Sequence, residues 1–358
     1  MDSGRSNFAI LRGMSRPKAL ITGITGQDGS YLARDLLSEG YSVIGTRAKS
    51  SSSSTWRLRT LGVEDNSNLE IIDLDITDPI KTSEVIKELK PSEVYNLASH
   101  SFVADSLFNP QQTTLVSGYA PINLMEAISS FSPETRFFQA GSSEMFGTSL
   151  SAPQNEQSDF YPRNIYGSAK VFAHSAALNY RQNKGLFAAS GILYNHESPL
   201  RGNEFVTKKI TAKVAKIKLN QADMLSIGNL SSVRDWGYAP EYVQAMRMIM
   251  SYAIPDTFVI ASGKATTVRD FVRQSFKAAD MEIVFEGSGL EEVGYEKGTG
   301  RVIVSIDSEF YRESETVDLV GDASKAKTIL RWSPKTPVAE IANLMVKHDL
   351  ETLLAEKR

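Results

Sequence analysis

Eight residues, Thr22-Gly23-Ile24-Thr25-Gly26-Gln27-Asp28-Gly29, join a short apolar run at Ala19–Thr22 to a helical pattern. Their glycines fall in a G-x-x-G-x-x-G spacing. Lacking a Cβ, such positions allow a tight turn, a close approach of backbone to a phosphate, and close packing of helix on strand. The N–H groups that open the helix then favour negative charge. A loop of this kind between strand and helix predicts a dinucleotide-binding turn, and with it a parallel sheet with crossover helices.

The rest of the chain fits that frame. Ala19–Thr22, Ser42–Gly45, Leu69–Asp73, Glu93–Leu97, Arg136–Ala140 and Ala188–Leu193 read as buried strands. Helical stretches at Ser30–Glu39, Ser83–Leu89, Pro121–Ser130 and Ala169–Gln182 alternate with them. The pattern predicts an α/β fold: a Rossmann-like, doubly wound parallel sheet with a smaller C-terminal α/β substrate lobe. With 358 residues, two lobes around one cleft are expected. The division is residues 18–197 for the dinucleotide lobe and 198–358 for the substrate lobe, with elements free to cross between them. In the second half, Lys208–Leu219, Glu241–Tyr252, Thr267–Ala279 and Val338–Leu354 read as helices, Leu225–Gly228 and Phe258–Ile260 as strands, and Glu286–Gly300 as an exposed loop. Residues 1–17 read as an extension or tag, and Ser50–Ser54 as a flexible loop.

Composition closes several routes. There is no cysteine, which removes disulfides, thiolate metal sites and cysteine nucleophiles together. Four histidines show no metal-ligand spacing, so no metal is expected. Lys plus Arg total 39 against 42 acids, a net charge of −3, which offers no footprint for nucleic acid or an anionic membrane. No apolar run is long enough for a membrane span, and a cytoplasmic location is expected.

Two further stretches carry chemistry. After the second strand the chain reads Gly45-Thr46-Arg47-Ala48-Lys49, with bases and no acid. An acid there suits the ribose of NAD, whereas a base accommodates the 2′-phosphate of NADP. Arg47 and Lys49 therefore favour NADP. Asp75, followed by Ile76, is placed either to meet the adenine or to open the next helix. Tyr166-Gly167-Ser168-Ala169-Lys170 puts a phenol and an ammonium four residues apart on one helix face. The ammonium is expected to favour phenolate, making Tyr166 a base for a sugar hydroxyl. Ser142, in Gly141-Ser142-Ser143-Glu144, would hydrogen-bond that hydroxyl. Glu144 adds a carboxylate that simple hydride transfer does not need: it could remove one proton and deliver it to a leaving hydroxyl. Its alternative is a surface or capping acid.

At these residues the chain closely resembles the GDP-mannose 4,6-dehydratases. The likeness runs from Lys18 to the C-terminal helix. It includes Ala19–Leu32, Glu93-Val94-Tyr95-Asn96-Leu97-Ala98, Phe160-Tyr161-Pro162-Arg163, Gly191–Gly202, Phe205–Thr211 and Arg234-Asp235-Trp236-Gly237. The resemblance implies a catalytic set of Ser142, Glu144, Tyr166 and Lys170. It implies cofactor contacts at Gly23, Thr25, Gly26, Gln27, Asp28 and Gly29, at Leu97, Ala98, Ser99 and Ser101, and at His196 and Arg201. Lys209, Arg234, Arg312 and Glu315 match positions near the GDP moiety, and His100, Ser143 and Asn195 join the substrate contacts. The implied activity is the conversion of a GDP-hexose to its 4-keto-6-deoxy form, with a recycled NADP, in a homodimer or homotetramer. Alternatives are the same dehydration of a GDP-manno-heptose, or a reductase or epimerase of GDP-4-keto sugars. The departures from the family pattern are Gly141 and Ser142 for a serine and a threonine, His100 for glutamine, Asn164-Ile165 for serine-proline, Glu313 for a proline and Ser50 for an arginine.

Overall fold

The computed structural model describes residues 16–48, 54–148, 152–311 and 318–356. Lys49, Ser50, Arg312, Glu313 and Glu315 lie outside the described residues, as does most of the 1–17 extension.

Strands β1 (Lys18–Thr22), β2 (Ser42–Arg47), β3 (Leu69–Asp73), β4 (Glu93–Asn96), β5 (Arg136–Ser142) and β6 (Ala188–Leu193) are followed by β7 (Asn195–Glu197), β8 (Leu225–Ile227), β9 (Val233–Tyr238) and β10 (Thr257–Ile260). β11 (Ala265–Thr267), β12 (Ile283–Glu286), β13 (Val293–Glu296) and β14 (Val302–Ile306) complete the set. The helices are α1 (Gln27–Ser38), α2 (Trp56–Thr60), α3 (Pro79–Leu89), α4 (Asp105–Phe108), α5 (Pro110–Thr114), α6 (Ala120–Phe131), α7 (Ile165–Lys184), α8 (Val206–Lys218), α9 (Ala239–Ser251), α10 (Val268–Ala278) and α11 (Val338–Ala355).

Seven parallel strands form the main sheet in the order β10-β6-β5-β4-β1-β2-β3. Successive side chains of a strand point to opposite faces, and the cores follow that rule. Leu20, Val94, Phe137 and Ala188 join one buried cluster beneath α3, α6 and α7. Their neighbours Ile21, Tyr95, Phe138 and Ala189 join the other, with α1 and α9. The near-continuous apolar runs seen in the sequence are what burial on both faces requires.

β10 and α9 lie beyond residue 198 yet pack on the main sheet, so the chain crosses back into the first lobe before finishing the second. The second lobe holds a three-stranded sheet, β11-β9-β7, and a four-stranded one, β12-β13-β14-β8. Its own core gathers side chains from α8, α10 and α11. Here the structure corrects one expectation. Glu286–Gly300 is not simply an exposed loop, because it contains β13 and the end of β12. Gly294 lets the side chains of Ile283 and Val304 close over the strand, and a Cβ there would meet them at 2.7 and 2.9 Å. Among the described residues no helix is long and apolar enough to cross a membrane.

Candidate active site

The C-terminal ends of the strands set the site. Thr22 pairs with Asn96 and Asn96 with Gln139, so β5 runs three residues past its neighbour and carries Ser142 into the cleft. A cleft of about 870 Å³ opens there, bounded by the glycine loop, β5, α7, β7 and the second lobe. This is where open α/β sheets bind ligands.

The three glycines of the loop do different work. Gly23 takes φ +72°, and a Cβ on it would lie 2.9 Å from the backbone of Ala98. Gly29 presses α1 onto the loop, since a Cβ would meet Gly23 O at 2.5 Å. Gly26 is the N-cap of α1 without a side-chain cap, and a Cβ there would approach only Gly23 O, at 3.2 Å. The helix start therefore keeps its unsatisfied N–H groups on an open face, which fits a pyrophosphate. Thr22 Oγ1 accepts hydrogen bonds from Leu97 N and Ala98 N, tying the end of β4 to the start of the glycine loop.

Asp28 faces His196, with Oδ2 2.8 Å from Nε2, while His196 Nδ1 donates to Tyr194 O at 2.6 Å. A carboxylate on one nitrogen and a carbonyl on the other are both acceptors, which favours imidazolium. Burial opposes the charge on both groups. Their mutual attraction and hydrogen bond prevail, so His196 lies above the usual imidazole value and Asp28 below the usual carboxylate value. Gln27 donates to His196 O at 3.0 Å and accepts from Ser198 Oγ at 2.7 Å. Arg201 pairs with Glu197 at 3.0 Å and lies over the Phe205 ring.

Ser142, Glu144, Tyr166 and Lys170, the residues expected to be catalytic, all line the cleft. Helix α7 is fixed at its start by Asn164, whose Oδ1 accepts from Gly167 N at 2.7 Å. Lys170 Nζ donates to Ala140 O at 2.9 Å and lies 5.6 Å from the Tyr166 ring centre. Burial pushes Lys170 down to about 8, with Asp28 pulling it back up. Tyr166 differs from expectation. Burial pushes it up to about 12, beyond what hydrogen bonds to Ser142 and Ser99 recover, and Glu144 adds to the rise. Lys170, committed to Ala140, does not offset the desolvation of the phenol. Glu144 Oε2 accepts from Asn164 Nδ2 at 2.7 Å and stands 3.9 Å from Arg163 Nε.

The other expected residues divide. Leu97, Ala98, Ser99, Ser101, Asn195, Lys209 and Arg234 line the same cleft. His100 and Ser143 are not on its lining: His100 N donates to Ser117 Oγ at 3.2 Å, and Ser143 is buried. Asp75 caps a turn by accepting from Thr77 N and Thr77 Oγ1, and Ile76 is buried beside it. Arg47 meets Asp73 at 2.8 Å across the β2–β3 ladder, so an acid reaches this end of the sheet from the next strand.

Glu204, Phe205, Asn229 and Phe310, to which sequence reasoning gives no site role, line the cleft with Arg57. Arg57 Nε donates to Leu200 O at 2.7 Å and Nη1 to Thr25 O at 3.0 Å, joining three distant segments. No local pattern signals such a contact.

A doubly wound sheet with a glycine loop, a serine and a Tyr-Lys pair on one cleft defines a protein of the extended short-chain dehydrogenase/reductase type. Within that class the chain belongs to the GDP-mannose 4,6 dehydratase family, whose profile matches residues 20–345. It is 43% identical over 348 residues to the GDP-mannose 4,6 dehydratase of Drosophila melanogaster, covering 95% of this chain and 88% of that one. It is 44% identical over 349 residues to the GDP-mannose 4,6-dehydratase of Yersinia enterocolitica, covering 93% and 94%. A putative epimerase from Burkholderia cenocepacia shares the fold, with a TM-score of 0.76 at 22% identity over 94% of this chain and 100% of that one.

Proposed function

We propose that the chain dehydrates GDP-mannose to its 4-keto-6-deoxy product with a recycled NADP. The observation that carries this reading is Glu144, a hydrogen-bonded carboxylate on the wall of the cleft that also presents Ser142, Tyr166 and Lys170. A reductase consuming external NADPH has no elimination to catalyse and no use for that carboxylate.

Gly23, Gly26 and Gly29, with the Asp28–His196 pair behind them, would hold the dinucleotide. The chemistry a bound nicotinamide supplies is storage of one hydride between its removal from C4 and its return to C6, with a positive charge that favours the Tyr166 phenolate. Ser142 and Tyr166 hold the C4 hydroxyl, and Tyr166 takes its proton. Oxidation at C4 makes the C5 proton acidic. Glu144 removes that proton, the C6–O bond breaks, and the same carboxyl protonates the departing oxygen as water. To complete the product, C5 takes up a proton once C6 is reduced, and Tyr166, which holds the proton of the C4 hydroxyl, would supply it. Lys209 and Arg234, from the second lobe, suit the diphosphate. Arg47, steered by Asp73, is the group assigned to the 2′-phosphate. Comparing the affinity of wild type and Arg47→Ala for NADP and NAD tests this: only NADP binding should weaken.

A homo-oligomer, with a tetramer as the expected form, goes with this reading. Leu107 and Phe108 on α4 are 70% and 81% exposed, and Phe172 on the adjoining α7 is 49% exposed. An apolar patch of this kind suits a second copy. Light scattering should find no monomer at micromolar concentration. A cytoplasmic location belongs to the same proposal, and cell fractionation tests it.

A further inference from the structure

Asn164 stands where the sequence departs from its family, on the lining of the cleft beside Glu144. Both ends of its amide are engaged within the chain. Oδ1 accepts from Gly167 N at 2.7 Å and so caps α7, while Nδ2 donates to Glu144 Oε2 at 2.7 Å. The amide cannot be reversed without setting NH2 against an N–H and an oxygen against a carboxylate, so the cap fixes which end faces Glu144. The backbone reinforces the junction. A Cβ on Gly167 would lie 2.4 Å from Glu144 O, so the first turn of α7 presses on the segment that carries the carboxylate. Arg163, the preceding residue, approaches the same oxygen at 3.9 Å. Both contacts fall on Oε2, which orients Oε1 as the oxygen for substrate.

We propose that Asn164 is a positioning residue for Glu144. It locks the carboxylate to the helix that bears Tyr166 and Lys170, so that the proton acceptor for C5 and the base for the C4 hydroxyl keep a fixed separation. A carboxyl group is free to turn about its terminal torsion, and one hydrogen bond anchored by a helix cap removes that freedom. The inference rests on the dehydratase reading of Glu144. Elimination should depend on Asn164, and the preceding oxidation should not.

Two substitutions in the whole chain separate this role from simple capping, because Asp and Gly are both accepted at an N-cap. Asn164→Asp exchanges the donor for an oxygen, and Asn164→Gly withdraws it. With GDP-mannose and NADP, kcat for dehydration should fall about 100-fold in the Asp variant and about tenfold in the Gly variant, as expected for a displaced catalytic group. KM and melting temperature should stay close to wild type. Absorbance at 340 nm should show reduced cofactor accumulating during turnover in both variants, the mark of oxidation outrunning elimination. Wild-type kcat in Asn164→Gly would overturn the proposal, as would loss of kcat in both variants without reduced cofactor. If the Asp variant melts early because two carboxylates face each other, the Gly variant alone decides. A wild-type protein inactive on the sugar would overturn the dehydratase reading itself, and this inference with it.

Discussion

Asp28 and His196, 168 residues apart, form an ion pair of 2.8 Å that bolts the first turn of α1 to β7. His196 also stacks on Tyr242 of α9 at 4.6 Å between ring centres, so the pair links the glycine loop to a helix that packs on the sheet. Side chains only 11% and 22% exposed make this a coupling that solvent screens weakly.

Removing one partner should be costly. Asp28→Asn is expected to lower unfolding free energy by about 3 kcal/mol near pH 6, the usual loss when a buried pair is broken. The pH dependence follows from the two shifts. His196 is raised, so its share is complete below its unfolded value of 6.5 and disappears as pH climbs through the folded one. Asp28 is lowered, so its share is complete above 3.8 and disappears as pH falls through its depressed value. Urea unfolding from pH 6 to 9 should show the gap between wild type and Asp28→Asn closing. A constant gap would mean the charge on His196 is not involved.

His174 gives a second acid-sensitive element, outside the cleft. Burial holds it down at about 4, next to Ser190 at 3.0 Å. The unfolded chain takes up a proton at 6.5 that the folded chain refuses until about 4, so stability falls as pH drops across that interval. The drop should amount to about 3 kcal/mol, at 1.36 kcal/mol per pKa unit. His174→Gln should flatten the acid limb of stability between pH 6.5 and 4. An unchanged limb would refute the assignment.

The glycines separate folding from cofactor binding. Gly29→Ala pushes a methyl into backbone at 2.5 Å and should cost about 2–3 kcal/mol, read as a lowered melting temperature. Gly26→Ala meets only Gly23 O, at 3.2 Å, and should melt within about 2 °C of wild type. Its deficit should appear in NADP affinity. Calorimetry showing full affinity in Gly26→Ala would place the pyrophosphate elsewhere.

Glu144 and Tyr166 should fail at different steps. Glu144→Gln should reduce dehydration by about 10²–10⁴-fold, the range for loss of a general acid–base group, while bound cofactor can still be reduced. Tyr166→Phe should stop the reaction before any reduced cofactor forms. Rapid-mixing absorbance at 340 nm distinguishes the two. Near wild-type dehydration in Glu144→Gln would show the carboxylate to be structural.

The first lobe was legible because its signals are local. Apart from the edge strand β3, the strands of the main sheet are largely buried on both faces, so their apolar runs stand out, and the glycine loop sits between a strand and a helix. The second lobe was less so. β7 and β11 are only three residues each, and β7 and β9 carry Asn195, Arg234 and Asp235 toward the site or the lobe junction, so polar residues stand where a strand pattern wants apolar ones. Asp235 illustrates the reason: its carboxylate accepts from Ser262 N, Gly263 N and Gly321 N, contacts set by tertiary placement alone. The Tyr166–Lys170 pair was readable by spacing, whereas the contacts of Arg57 and the tie between Asn164 and Glu144 exist only once distant segments meet. The upward push on Tyr166 has the same origin, since burial of a phenol is a property of the whole fold.

The central claim is that this enzyme eliminates water without consuming reductant. Incubation of the purified protein with GDP-mannose and a catalytic amount of NADP, followed by mass spectrometry of the sugar nucleotide and absorbance at 340 nm, tests it directly. The expected product is lighter by one water and formed in many-fold excess over cofactor, with no net change in NADPH. Stoichiometric oxidation of added NADPH, or a sugar nucleotide of unchanged mass, would contradict it.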